Sequence, residues 1–135
     1  MSSTIVFDAS ATLAWLFNES DAGAVAALID SRALTAPVLW RMEVTNAILV
    51  KERGKKLSAG DGIRLLSAVD ALPIELSSAI TSLSATALAE LARPYQLSAY
   101  DATYLDLAIR RNLPLCTLDR NLRAAAERAG VPVLP

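Results

Sequence analysis

A chain of 135 residues with 53% apolar side chains has the length and the core material for one domain spanning 1–135. Thirteen basic and fourteen acidic residues nearly balance, and there is no histidine and only one cysteine, Cys116. Without an imidazole base, Ser-His-Asp and Cys-His nucleophile systems and histidine-based zinc sites are excluded, so any hydrolysis has to rest on carboxylates, with or without hard cations that prefer oxygen ligands.

The lone cysteine also excludes an internal disulfide and fits a reducing compartment, so a cytoplasmic location is expected. The opening "MSSTIVFDAS" lacks a basic region and meets Asp8 early, so no secretory leader is expected. The longest run free of charge, Leu76 to Ala89, is dotted with serine and threonine and falls short of the ~20 apolar residues of a membrane span.

"TIVF" is a short β-branched and aromatic run ending at Asp8, followed by the helical composition of "ASATLAWLF". "DAGAVAALIDS" predicts a second helix, "ALTAP" a strand, and "VLWRMEVTNAILVKERG" a long third helix closed by Gly54. Trp40 on that helix reads as core. Ser58 and Asp61 stand at capping-box spacing before the helix of "GIRLLSAVDAL", and "PIEL" is a brief strand. "ATALAELARPY" and "SAYDATYLDLAIRRN" predict two helices broken at Pro94. "PLCTL" predicts a strand with Cys116 packed inside it, "RNLRAAAERAG" a helix ending at Gly130, and "VPVL" a last strand whose Pro132 places it at an edge. Strands alternating with helices make this an α/β protein: a mainly parallel sheet of four to five short strands flanked by about seven helices.

Four acids stand out. Ligands of such sheets bind beyond the carboxyl ends of the strands, where Asp8 and Asp119 fall. Each also has a plain alternative role as the N-cap of the helix that follows. Asp101 shares the apolar side of its helix with Leu97, Tyr104, Leu105 and Ala108, and Ser98 three residues earlier allows it to be a capping-box member. Asp106 points elsewhere and reads as a solvated i,i+4 partner of Arg110. Glu43 lies in line with Leu39, Ala47 and Val50, away from the polar side of Arg41, Thr45 and Glu52, with no basic residue three or four positions away. An acid in an apolar stripe needs a partner from elsewhere in the fold. Four acids on separated segments suggest one cluster, relieved by Mg²⁺ or Mn²⁺ that polarises a phosphoryl oxygen and activates water. Setting these four aside leaves ten acidic residues against thirteen basic ones, a remainder attractive to a phosphate-rich substrate.

"IVFDAS", "MEVTNAIL", "YDATYLDLA" and "CTLDRNL" resemble, in order and spacing over nearly the whole chain, the acidic motifs of PIN-domain ribonucleases, most of all the VapC toxins of bacterial toxin–antitoxin pairs. The resemblance implies a PIN-like fold, with Asp8, Glu43, Asp101 and Asp119 as catalytic acids and Asp8, Asp101 and Asp119 among them as metal ligands. It implies Ser10, Asn46 and Thr117 as polar helpers, cleavage of RNA with Mg²⁺ or Mn²⁺, a homodimer, and a cognate antitoxin as partner. Asn121 is neutral where some relatives carry a further acid, which leaves one or two metal ions open. Two other readings stand beside it. One is a non-catalytic interaction module whose acids are caps and salt-bridge partners. The other is phosphotransfer through an aspartyl phosphate on Asp8, which usually needs a late lysine that is absent here: the only lysines are Lys51, Lys55 and Lys56.

Overall fold

The centre of the molecule is set by Thr4–Phe7, strand β1, in which Ile5, Val6 and Phe7 are fully buried. A continuous apolar run of this kind suits a parallel strand covered on both faces. The structure, a computed structural model, describes residues 3–78 and 83–135. β2 (Ala33–Pro37) pairs with β1 with Thr4 opposite Ala33, and β3 (Ile74–Ser77) lies outside β2. On the other side of β1 come β4 (Leu115–Cys116) and then β5 (Val133–Leu134). All four pairings are parallel, in the order β3-β2-β1-β4-β5. The chain therefore winds outward from β1 in one direction and then reverses, so the switch point lies between β1 and β4, where a crevice opens at the strands' carboxyl ends. Pro132 stands at the start of the edge strand, as expected, and its carbonyl accepts from the Leu115 N–H.

Seven α-helices among the described residues cover the sheet: α1 (Ala9–Leu16), α2 (Ala22–Ser31), α3 (Leu39–Arg53), α4 (Ala59–Ala71), α5 (Ala85–Ala92), α6 (Ala99–Arg111) and α7 (Arg120–Arg128). The start signals are physical caps. The side chains of Asp8, Ser58, Ser84, Ser98 and Asp119 each accept the backbone N–H three residues on. The segment "ARPY" leaves the α-helix at Ala92 for a 3₁₀ turn, Arg93–Tyr95, closed by Gln96 in the left-handed region. Gly54 ends α3 with an ordinary negative φ, and the left-handed turn falls on Lys55 (φ 58°). Gly130, by contrast, takes φ 77° just past the Ala129 cap of α7, where any side chain would be strained. Only Leu115–Cys116 of "PLCTL" is paired as strand, though Thr117 N–H still reaches the Leu134 carbonyl. Met1 and Ser2, and residues 79–82 of the charge-free run, lie outside the described residues; among the described residues no helix is long and apolar enough to cross a membrane.

Two expected helix faces differ from the structure. On α3 the buried line is Trp40, Val44 and Ile48, whereas Val50 is exposed and Glu43 stands half-buried on the shoulder. Two overlapping stripes were open to this helix, and the one holding the tryptophan buries more area against the sheet. On α6 every residue from Ala102 to Ala108 is buried, Asp106 included, so Asp106 is not solvated. This helix packs against β1, β2 and β4 and is flanked by α5 and α7, which leaves little of its circumference to water. The ion pair expected of Asp106 is present, with Arg110 Nε at 2.6 Å, and it offsets the burial of the charge.

Candidate acidic site

Asp8 is the first residue past β1 and sits in the crevice at 3% exposure. Its Oδ1 accepts from the Ala11 N–H at 2.9 Å and from the Ser10 hydroxyl at 2.7 Å, while Oδ2 accepts from Ser10 at 2.9 Å and from the Thr117 hydroxyl. Ser10 Oγ in turn accepts from the Leu118 N–H at 2.9 Å, and Thr117 Oγ1 from the Asp119 N–H at 3.0 Å. The β1–α1 and β4–α7 loops are thus stapled together through one carboxylate. Burial pushes the Asp8 carboxyl up to about 6 against the opposing pull of these hydrogen bonds, with a smaller upward push from Asp101.

Glu43 finds its partner on α6. The Tyr104 hydroxyl donates to Glu43 Oε1 at 2.7 Å. Burial raises the Glu43 carboxyl above its ordinary value, and Asp101 adds to the rise. Burial, and after it Glu43, drive the phenol of Tyr104 far above its usual range, so it stays a donor. Asp101 is half-buried and is likewise raised, by burial first and then by Asp119, with Ser98 opposing. The Ser98 hydroxyl accepts the Asp101 N–H at 3.0 Å, so α6 is capped as expected. The cap is one-sided: the Asp101 carboxylate makes no bond back to the Ser98 N–H among the described residues, and its charge is felt by Asp8 and Glu43 while it feels that of Asp119.

Asp119 is half-buried, and its Oδ1 caps α7 through the Leu122 N–H at 2.9 Å. Asn46, one turn beyond Glu43, is exposed and its amide makes no hydrogen bond among the described residues. Two features of this region were not singled out in the sequence. One is Tyr104, whose buried hydroxyl and an acid on an apolar helix are complementary needs. The other is a relay in which Trp40 Nε1 donates to Thr12 Oγ1 at 2.9 Å and Thr12 donates to the Asp8 carbonyl at 2.8 Å, tying α3 to the crevice.

The family whose sequence profile matches this chain is the PIN domain, over residues 5–128. The chain belongs to the PIN domain family. No curated protein sequence matches it. Among solved structures, PAE2754 from Pyrobaculum aerophilum superposes with a TM-score of 0.64 at 21% identity, covering 98% of this chain and 92% of that one. Mycobacterium tuberculosis VapC20, a toxin that cleaves the sarcin-ricin loop, superposes with a TM-score of 0.61 at 16% identity, covering 97% and 99%. At these identities the likeness establishes the fold.

In this PIN domain the crevice gathers Asp8, Ser10, Thr117 and Asp119 by direct hydrogen bonds, Glu43 is held by Tyr104 of α6, and the charge of Asp101 raises the carboxyls of both Asp8 and Glu43. Among the described residues none of the four acids forms an ion pair, and no three carboxylate or cysteine groups stand close enough to form a ready metal cage. The donors are all hard oxygens. Such a set suits Mg²⁺, which keeps several waters and takes one or two carboxylates, better than a cation that demands a complete protein cage.

Proposed function

We propose that this PIN domain is an endoribonuclease that works with Mg²⁺ or Mn²⁺, as the toxin of a toxin–antitoxin pair. The observation that carries this reading is the position of Asp101, coupled electrostatically to Asp8, Glu43 and Asp119 with no cation of the chain paired to any of them among the described residues. Mutual repulsion of that kind is relieved by a divalent ion or by protons. Asp8, Asp101 and Asp119 would hold the ion and Glu43 would stand beside it. When bound, such an ion polarises a phosphoryl oxygen and lowers the pKa of water.

The protein's own part is orientation. Three donors hold the Asp8 carboxylate in one rotamer, with the Ser10 hydroxyl shared between its two oxygens. Tyr104 fixes one Glu43 oxygen and leaves the other, Oε2, to take a proton from water. Ser10 and Thr117 keep the two loops at a constant separation, and Asn46 offers a free amide next to Glu43. RNA is favoured as substrate by the likeness to VapC20, which acts on an RNA loop, and by the basic excess outside the acidic site. An uncompensated acidic crevice also suits an antitoxin segment that brings an arginine or lysine into it, and a homodimer is the assembly we infer.

Incubation of bulk RNA with the purified protein in Mn²⁺ and in EDTA tests the reading: cleavage is expected in Mn²⁺ alone and is lost in Asp101→Asn. The cap geometry of Asp8, Ser98 and Asp119 favours a second reading, a non-catalytic interaction module, which predicts no stoichiometric Mn²⁺ site and no cleavage under either condition.

A further inference from the structure

Beside the acids lies a hollow of about 450 Å³ walled by Leu39, Met42, Glu43, Asn46, Ala47 and Tyr100. Its walls are unusual for a solvated surface: Tyr100 is 63% exposed and Met42 66% exposed, although a phenol ring and a thioether gain by burial. Tyr100 immediately precedes Asp101, and its backbone is held by a 2.6 Å bond from the Thr103 hydroxyl to its carbonyl, so the ring projects from the ordered first turn of α6. Past the ridge of Met42 and Asn46 a second hollow is lined by Arg41, Thr45 and Leu49. Neither the Arg41 guanidinium nor the Asn46 amide has a partner among the described residues.

We propose that this hollow is a base-binding subsite in which one unstacked nucleotide of the RNA lies with its base between Tyr100 and Met42, its edge against the Asn46 amide and a neighbouring phosphate on Arg41. The assignment rests on the ribonuclease reading above and adds to it where the strand lies. Four features select a single-stranded nucleotide as occupant. An exposed ring offers a stacking face that any base can use. An unpaired amide carries both a donor and an acceptor for a base edge. An unpaired guanidinium supplies charge complementarity to phosphate. Glu43 belongs to both the hollow and the acidic site, so a base seated here has its own backbone next to the acids. A purely apolar protein segment would leave the Asn46 amide and the Arg41 charge unsatisfied. Tyr100 and Asn46 on this account touch the substrate itself.

The test is binding of a fluorescein-labelled single-stranded RNA in EDTA, followed by steady-state cleavage of the same RNA in Mn²⁺. Tyr100→Ala should weaken binding about tenfold, the value of one lost stacking contact, while Tyr100→Phe stays within about twofold of the wild type. In Mn²⁺ the same factor should appear in KM, with kcat within about twofold. Arg41→Ala should weaken binding to all sequences and lower the salt slope by about one, and Asn46→Ala should flatten the preference among bases. A fully paired duplex of the same sequence should not distinguish Tyr100→Ala from wild type. If Tyr100→Ala binds and cleaves as the wild type does, or if the wild type binds no single-stranded RNA, the subsite is wrong. If Tyr100→Ala instead disrupts self-association or capture of a co-expressed protein with RNA binding intact, the face is a protein interface and the proposal is overturned. If wild type binds RNA in a Tyr100-dependent way but never cleaves it, the subsite stands and the nuclease reading falls.

Discussion

Replacing Asp8 by asparagine removes one negative charge from the least exposed of the four acids while keeping its shape and most of its hydrogen-bonding capacity. The Ala11 N–H and the Ser10 hydroxyl can still bond the amide oxygen, and the hydroxyls of Ser10 and Thr117 can rotate to accept from the new amide. In the wild type the Asp8 carboxyl is raised from 3.8 to about 6. For an acid whose folded pKa is raised, the unfolded chain releases its proton first, so stability is full below about pH 4 and is lost as pH rises through about 6. The shift corresponds to about 3 kcal/mol at pH 7.5, from roughly 1.4 kcal/mol per pH unit. Urea unfolding of wild type and Asp8→Asn in EDTA, between pH 4 and pH 7.5, should show near-equal stabilities at the acid end. At the neutral end the variant should lead by up to about 3 kcal/mol, on the order of 10 °C in Tm for a chain of this size. Glu43 and Asp101 are raised in the same direction, but they remain in both proteins and largely cancel from the difference. Millimolar Mn²⁺ at pH 7.5 should narrow the gap by stabilising only the wild type. A gap independent of pH, or a variant less stable than the wild type in EDTA at pH 7.5, would refute the placement of a buried, uncompensated charge at Asp8.

Tyr104→Phe removes the hydroxyl that holds Glu43; since Glu43 is only half-buried, water replaces part of the bond, and urea unfolding should show a loss of about 1 kcal/mol together with slower RNA cleavage. Arg110→Ala leaves Asp106, with a side chain only 10% exposed, without its ion-pair partner. That should cost about 2 kcal/mol, between the values for surface and fully buried pairs, with cleavage unchanged because Asp106 is not in the crevice.

The four candidate acids stood out in the sequence because each lay where a local pattern required an explanation. Asp8 and Asp119 follow short apolar runs, and Asp101 interrupts the apolar side of a helix. Their other roles were legible too: Asp8 and Asp119 do cap helices, as Ser98 does for the helix of Asp101, and the Asp119 cap uses Oδ1 alone among the described residues. Periodicity failed where a helix has more than one possible face. It placed Glu43 in the main stripe of α3, whereas the sheet takes Trp40, Val44 and Ile48. It put Asp106 in solvent because it weighs one stripe of α6 at a time, and this helix is enclosed on several sides. Contacts between segments far apart in sequence left no local trace. The bond of Tyr104 to Glu43, the reach of Thr117 to Asp8 and the Trp40–Thr12 relay depend on how α3, α6 and β4 meet around β1.

Asp101 is the point on which the proposed site turns, since its charge raises the carboxyls of Asp8 and Glu43 and its own is raised by Asp119. The most direct measurement compares Asp101→Asn with wild type in thermal unfolding, each in EDTA and in Mn²⁺, alongside cleavage of bulk RNA. The account predicts that the variant melts at or above the wild-type temperature in EDTA because repulsion is relieved. It further predicts that Mn²⁺ stabilises the variant less and that cleavage falls by orders of magnitude. A variant that is less stable in EDTA, yet cleaves RNA at the wild-type rate, would show Asp101 to be a helix-capping acid and nothing more.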